Sequence, residues 1–346
     1  MASKMSLTGE QMNNNKPGVL LINLGTPDSS EPKAVYTYLK QFLNDPRIID
    51  LPAPIRYILV NALIIPFRYK KSAHAYQQIW TEKGSPLLVH SNALITAIKK
   101  ECESHFQIEL GMRYGNPSIA DAMHRLKDCQ KIIVIPLFPQ YASATSGSAI
   151  EAFLKMIMKQ WNIPEITIKK DFFDHADFIK AWAAVIKENV ASTKFDTLLF
   201  SYHGVPERHI DKSGCQAVCS RKDACPKNTA CYRAQCYETS RLIAEELGLS
   251  STEYQVSFQS RLGRTPWIKP YTDEVLIELR DKKIENIAIA CPSFVTDCLE
   301  TLEEINIRAR AQWLDLGGTS FTFIPCLNEH LLWVNALTKI IKELAQ

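Results

Sequence analysis

The chain has 346 residues, 46% of them hydrophobic, and sets 40 Lys and Arg against 37 Asp and Glu for a net charge of +3. That length exceeds a single small domain and fits two lobes with enough apolar residues to fill real cores. A near-neutral balance without a long basic run argues against a nucleic-acid binder, and the longest apolar stretch, 57–67, contains Asn61 and Pro66 and falls well short of a bilayer span.

Residues 1–16 are polar and Asn-rich, lack an apolar core of signal-peptide length, and are read as a disordered tail. A cytoplasmic location is therefore expected. In that compartment the 10 cysteines read as thiols or metal ligands rather than as a disulfide framework.

From Gly18 strand and helix alternate. Gly18-Val19-Leu20-Leu21-Ile22-Asn23-Leu24 is a near-continuous apolar run, as a strand covered on both faces requires, and it stops at Gly25-Thr26-Pro27-Asp28. Helical spacing covers 33–44 and ends at Asp45-Pro46. Further strands are predicted at 108–112, 132–137 and 166–169, and helices at 88–102 and 149–161. After a helix at 176–190 the alternation restarts, with strands at 197–201, 254–259, 287–291 and 321–324 and helices at 232–247, 272–280, 296–310 and 329–344. The fold class is α/β: two similar Rossmann-like lobes, each a parallel sheet flanked by helices, around a central cleft. The expected division is 17–174 for the first lobe, 175–328 for the second with a cysteine-rich insert at 211–236, and a C-terminal helix at 329–346.

The strand exits of the halves also match. Leu20-Leu21-Ile22-Asn23-Leu24-Gly25-Thr26-Pro27 parallels the stretch from Leu198 to Pro206, Met112-Arg113-Tyr114-Gly115 parallels the stretch from Ser257 to Gly263, and Val134-Ile135-Pro136-Leu137-Phe138-Pro139 parallels Ile289-Ala290-Cys291-Pro292-Ser293-Phe294. Convergent strand patterns are the plainer explanation. If the doubling is real, two sets of strand ends face one cleft, where ligands of open α/β sheets bind. Only the second copy carries a titrating residue, His203, at the exit, so the chemistry is expected in the second lobe.

A lone histidine is more often packed than catalytic, but His203 ends an apolar strand and is followed at once by Gly204 and turn-forming residues. Neutral imidazole accepts a proton or binds a divalent transition metal. On the helix after Cys291, Asp297, Glu300 and Glu304 share one face at helical spacing, with Glu303 between the faces and expected to be merely solvated. A solvated acidic face is the usual meaning of such a pattern. Here the acids follow a strand end, where a cleft is expected and a helix N-terminus favours carboxylates.

Aromatic and basic residues gather at the same exits: Phe138, Gln140, Tyr141 and Ser143 in the first lobe, and Arg261, Arg264, Trp267, Lys269 and Tyr271 in the second. With the stretch Phe67-Arg68-Tyr69-Lys70-Lys71 they suit a flat apolar ligand with acidic edges. No phosphate-binding glycine pattern follows any strand, and Ser201 has no nucleophile-elbow context. The oddest segment holds Cys215, Cys219, Cys225, Cys231 and Cys236. Five thiols in a polar, loop-like stretch point to a metal or iron–sulfur site, although the spacing matches neither structural zinc pairs nor ferredoxins and leaves the type open. Cys236 falls inside the following helix, so the first four are taken as ligands with Cys236 in reserve.

Taken together, the stretches Asn23-Leu24-Gly25-Thr26-Pro27-Asp28, Gly84-Ser85-Pro86-Leu87, Pro139-Gln140-Tyr141, Ser201-Tyr202-His203-Gly204-Val205-Pro206, Phe258-Gln259-Ser260-Arg261, Pro266-Trp267 and Asp297-Cys298-Leu299-Glu300-Thr301-Leu302-Glu303-Glu304 resemble the bacterial ferrochelatases. The resemblance implies insertion of Fe2+ into protoporphyrin IX to give protoheme, with His203, Glu300 and Glu304 catalytic and His203 and Glu300 holding the incoming iron. It implies a porphyrin cleft lined by Leu24, Arg68, Tyr141, Ser201 and Trp267. Where some relatives carry a further acid one turn on, this chain has Arg308, so the acidic line is expected to stop at Glu304. The resemblance also implies a [2Fe-2S] cluster on Cys215, Cys219, Cys225 and Cys231, with zinc as the alternative. The competing functions are a chelatase for another metal or porphyrin, such as cobalt or coproporphyrin, and a non-catalytic tetrapyrrole-binding or iron–sulfur sensor. No transmembrane segment is expected, and 57–67 is a candidate lip for peripheral membrane contact.

Overall fold

The structure is a computed structural model and describes residues 16–215, 219, 225, 228–263 and 265–346. The tail expected at 1–16 lies, apart from Lys16, outside the described residues, as does Arg264.

The first half runs β1 (Gly18–Thr26), α1 (Pro32–Leu43), α2 (Ala53–Ile58), a π-helical segment (Leu59–Ile64), α3 (Ile65–Ile79), α4 (Pro86–Cys102), β2 (Gln107–Gly115), α5 (Ile119–Arg125), β3 (Lys131–Pro136), a short π turn (Ser143–Gly147), α6 (Ser148–Ile157) and β4 (Glu165–Ile168). Then follow α7 (Ala176–Val190), β5 (Thr197–His203), α8 (Glu207–Lys212), α9 (Tyr232–Leu247), β6 (Tyr254–Gln259), α10 (Thr272–Asp281), β7 (Asn286–Ala290), a second π-helical segment (Glu300–Ala309) that passes into α11 (Arg310–Asp315), β8 (Ser320–Phe323) and α12 (Leu331–Ala345).

All strand pairs in these sheets are parallel, in the orders β2-β1-β3-β4 and β6-β5-β7-β8. The two halves are thus wound alike, as the matching strand exits imply. The likeness reaches the turns: Met112 N–H donates to the Pro117 carbonyl at 2.6 Å and Phe258 N–H to the Pro270 carbonyl at 2.8 Å, each ahead of the helix that follows. Strand pairing then sets Asn23 opposite Met112 and Tyr202 opposite Phe258, which puts Leu24 of one lobe at the place of His203 in the other.

Both central strands are covered on both faces, which is why they read as unbroken apolar runs. Val19, Leu20, Leu21 and Ile22 are each 0% exposed, worth about 1.5 to 3 kcal/mol apiece against an exposed state. The largest core joins the two sheets: residues of β1 to β3, α4, α7, β5, α9 and α12 pack into it. Helix α12 packs on α4 and α7, so the C-terminal end of the chain crosses back to the first lobe.

Two helical expectations need correcting, and with them the settings of Asp297 and Glu303. The helix predicted at 149–161 stops at Ile157, and Trp161 stands outside it almost fully exposed. Instead of one α-helix over 296–310, a turn leads into a π-helical segment from Glu300, and Asp297 precedes it rather than sharing its face. Asp297 is 4% exposed and accepts from Thr301 Oγ1, Cys326 N–H and Asn328 Nδ2, a structural tie to the turn before α12. Glu303, expected to be solvated, is buried and paired with Arg308 at 2.8 Å.

Candidate active site

His203 is the last residue of β5, half-buried, with its ring centroid 6.3 Å from those of both Trp267 and Phe294. Its backbone is fixed on both sides, since its N–H donates to Ser293 Oγ and its carbonyl accepts from the Tyr232 hydroxyl. Nδ1 lies 2.6 Å from the Gly204 carbonyl oxygen. A carbonyl only accepts, so in the neutral ring Nδ1 carries the hydrogen and Nε2 keeps its lone pair for a proton or a metal.

The Glu300 backbone and the Glu304 carboxylate are both held at the exit of β6. Gln259, opposite His203 in the sheet, donates from Nε2 to the Glu300 carbonyl at 2.9 Å, and its own carbonyl accepts the Gly204 N–H at 2.8 Å. The next residue, Ser260, donates to Glu304 from both its N–H and its hydroxyl. Glu300 and Glu304 are half-buried, and Arg308, 3.9 Å from Glu304, closes the acidic line with a positive charge.

The first lobe faces these acids with α1 and α3. Leu299 and Leu302 pack on the cluster built from Tyr38, Leu39, Tyr76 and Tyr114, and the exposed Arg68 lies within electrostatic reach of Glu300 and Glu304. Burial, and then the Glu300 charge, push the Tyr76 phenol well above its usual range, so it stays a neutral hydroxyl behind the carboxylate. The Cys298 thiol is likewise pushed up, by burial first and by Glu300 second.

Of the expected lining, Leu24 is half-buried at the exit of β1, and Trp267 is half-buried beside His203 with its indole N–H on the Leu262 carbonyl at 3.0 Å. Tyr141 is half-buried, its N–H held by Gln235 Oε1 and its ring under Lys170 Nζ at 5.8 Å. Ser201 is set apart: it is 0% exposed, donates to Gln259 Oε1 at 2.7 Å and meets Thr272 Oγ1 at 2.9 Å. Its hydroxyl touches the strand network rather than open space. Gln259, Ser260, Tyr38 and Tyr76 were not singled out as site residues from the sequence. Gln259 and Ser260 stand within the recognised stretch Phe258-Gln259-Ser260-Arg261, but nothing in a lone Gln or Ser says which carboxylate it holds.

Among the cysteines, Cys215, Cys219 and Cys225 are half-buried, Cys231 is 5% exposed and Cys236 is 0% exposed. Burial pushes the Cys231 thiol up, with Cys215 near enough to add to the shift, and Cys236 lies on α9 near Tyr202 and Tyr232. Residues 216–218, 220–224 and 226–227 of this insert are outside the described residues. Among the described residues no group of three or more His, Cys, Asp or Glu is arranged to hold a metal ion.

Two like-wound parallel sheets flanked by helices give this chain a fold similar to that of solved chelatases. SirB from Bacillus subtilis, solved with Fe3+, has a TM-score of 0.53 to this chain at 14% identity over 95% of this chain and 96% of its own. The sirohydrochlorin chelatase SirB from Bacillus subtilis subspecies spizizenii, solved with cobalt, gives 0.53 at 12% identity over 95% of each. These likenesses are of fold alone.

Within that class the chain belongs to the ferrochelatase family, whose model matches residues 16–345. It is 54% identical over 328 residues to the ferrochelatase of Legionella pneumophila (strain Lens), covering 94% of this chain and 98% of that one, and 51% identical over 341 residues to that of Coxiella burnetii (strain CbuG_Q212), covering 96% and 95%.

Proposed function

We propose that this enzyme inserts Fe2+ into protoporphyrin IX, forms protoheme and releases two protons. About half-identity to ferrochelatases over nearly the whole chain is the observation that carries the reading. It disfavours the cobalt, coproporphyrin and sensor alternatives. To metallate a planar macrocycle, two pyrrole N–H protons must leave and the iron must shed water. A cleft that bends the ring exposes the nitrogen lone pairs, at a strain of about 1 to 5 kcal/mol offset by binding the rest of the macrocycle.

In our reading His203 Nε2 takes a pyrrole proton or holds the arriving iron, while Glu300 and Glu304 guide the ion or carry protons away. The free Nε2 lone pair and the tie of both acids to β6 support these roles. Leu24, Tyr141 and Trp267 are assigned to porphyrin contact and Arg68 to an acidic edge of the ring. Ser201 contributes through Gln259. The lobes responsible are taken as 17–174 and 175–328, with 329–346 as the C-terminal helix. The test is ferrous insertion by purified protein, followed by the porphyrin spectrum and repeated with cobalt and coproporphyrin. Preference for either of those would overturn the assignment, and binding without metallation would favour the sensor.

We further assign a [2Fe-2S] cluster to Cys215, Cys219, Cys225 and Cys231, with zinc as the alternative. An all-thiol donor set suits iron–sulfur chemistry, and the electrostatic influence of Cys215 on the Cys231 thiol is consistent with the assignment. The burial of Cys236 against Tyr202 and Tyr232 supports leaving it out. Such a cluster supplies a redox-active iron pair or a structural staple. Anaerobically purified protein is expected to show visible absorption and acid-labile sulfide, both lost in Cys219→Ser. Zinc without sulfide would contradict this.

We take the location as cytoplasmic, the compartment in which cysteines serve as thiols or metal ligands rather than as a disulfide framework. Among the described residues no helix is long and apolar enough to cross a membrane. Ile55, Tyr57, Ile58, Leu63 and Phe67 are exposed along α2, the π-helical segment and α3, which supports peripheral contact with lipid. Failure of the protein to sediment with liposomes would remove that reading.

A further inference from the structure

We infer that Gln259 and Ser260, at the exit of β6, form the positioning unit that keeps the three catalytic groups in register: Ser260 holds Glu304, and Gln259 holds Glu300 and the turn after His203. This rests on the roles proposed above for those three residues.

Ser260 has φ of +68°, an uncommon conformation for a residue with a Cβ. A backbone held in a sparsely populated region persists where its surroundings enforce it, and such positions cluster at functional sites. What Ser260 gains there is specific. Its N–H donates to Glu304 Oε1 at 2.9 Å and its hydroxyl donates to Oε2, one donor for each carboxylate oxygen. Two donors on two oxygens fix the plane of the carboxylate, whereas Arg308, 3.9 Å from Oε2, pulls it along the helix and away from the strand ends.

Gln259 is 4% exposed and uses its groups in three directions. Its main-chain carbonyl holds Gly204, its Oε1 accepts from Ser201, and its Nε2 reaches the Glu300 carbonyl. Ser201 is held in turn by Thr272, which meets Ser257 at 2.9 Å. A buried hydroxyl chain therefore fixes the orientation of the carboxamide, and the carboxamide fixes the start of the π-helical segment.

The same register in the first lobe is occupied by Arg113 and Tyr114. These bind Asp45 and Ser148, so that strand exit anchors the loop after α1. The place is an anchor in both lobes; in the second, the anchored groups are Glu300 and Glu304.

The test is Ser260→Gly. Glycine takes this φ without strain and keeps the N–H, so the fold and its thermal midpoint should survive while only the hydroxyl bond is lost. We expect kcat for ferrous insertion to fall about tenfold, the order of a lost bond to a charged group, with porphyrin affinity by fluorescence quenching unchanged. The fall should vanish when Ser260→Gly is made on top of Glu304→Ala, because the two changes then remove one interaction. An unchanged Ser260→Gly beside an impaired Glu304→Ala would overturn the inference, and so would losses that multiply in the double variant. A fully active Glu304→Ala would instead strike the role of Glu304 itself.

Discussion

The two sheets share strand order and register, yet their exits are chemically opposite. Where the second lobe has Ser201, Ser257 and Thr272, the first has Ile22, Gly111 and Ile119, with Ile119 packed directly over Gly111. One lobe closes that corner by apolar contact and the other by a hydroxyl chain ending on Gln259. Likewise Leu24 stands where His203 stands. The backbone is common property; the polar substitutions that orient Gln259, and through it Glu300, belong to the second lobe alone. The shared framework does not carry the same side chains at both exits.

That contrast can be broken at graded points. Glu300→Ala should give the largest effect, about 10³-fold in kcat with porphyrin binding retained, measured by steady-state insertion. Ser201→Ala converts one link of the hydroxyl chain to an apolar group and leaves Gln259 Oε1 and Thr272 short of a partner. It should cost about 1 to 3 kcal/mol in denaturant unfolding and lower insertion along with it.

A smaller effect is expected where the lobes are clamped. Asp50, in the loop after α1, accepts from Arg208 and Lys212 of α8 at 2.7 Å each, and His209 lies 3.7 Å away. Burial alone would raise its carboxyl, but the Arg208 and Lys212 hydrogen bonds and the charges of Arg208 and His209 outweigh it and hold Asp50 well below the usual carboxylate range. A depressed folded-state value means the contribution is complete above the unfolded range, near pH 4, and is lost as pH falls through the folded one. Asp50→Asn should therefore lose about 1 kcal/mol at pH 7, allowing for the solvent around Lys212, and converge with the wild type on acidification. The smallest effect belongs to Leu24→Ala, which should raise the porphyrin KM a few-fold and leave kcat alone. A large loss of kcat there would mean that the two exits share the chemistry after all.

Much of this contrast is legible in the sequence. The inner strands β1, β3, β5 and β7 read as apolar runs cut off by Gly, Pro or a polar turn, because parallel strands buried on both faces leave no other pattern. His203 is legible for the same reason. The helices at 53–79 are not, since Pro54 and Pro66 read as breaks and the outer face is itself apolar, whereas in the fold Pro66 opens a helix. Helix α5 carried a usable sign in its capping box of Ser118 and Asp121. The π-helical segment escapes any 3.6-residue pattern, so helical spacing groups Asp297 with Glu300 and gives no sign of the Glu303–Arg308 pair. That the Glu300 carbonyl and the turn after His203 share a partner depends on Gln259, a contact between distant stretches that no local pattern encodes.

The most direct measurement pairs porphyrin binding with metallation in His203→Ala. Fluorescence quenching should report protoporphyrin IX bound at close to wild-type affinity, while anaerobic addition of Fe2+ should leave the free-base spectrum unchanged over many wild-type turnovers. Conversion to the protoheme spectrum at the wild-type rate would contradict the central role given to this imidazole.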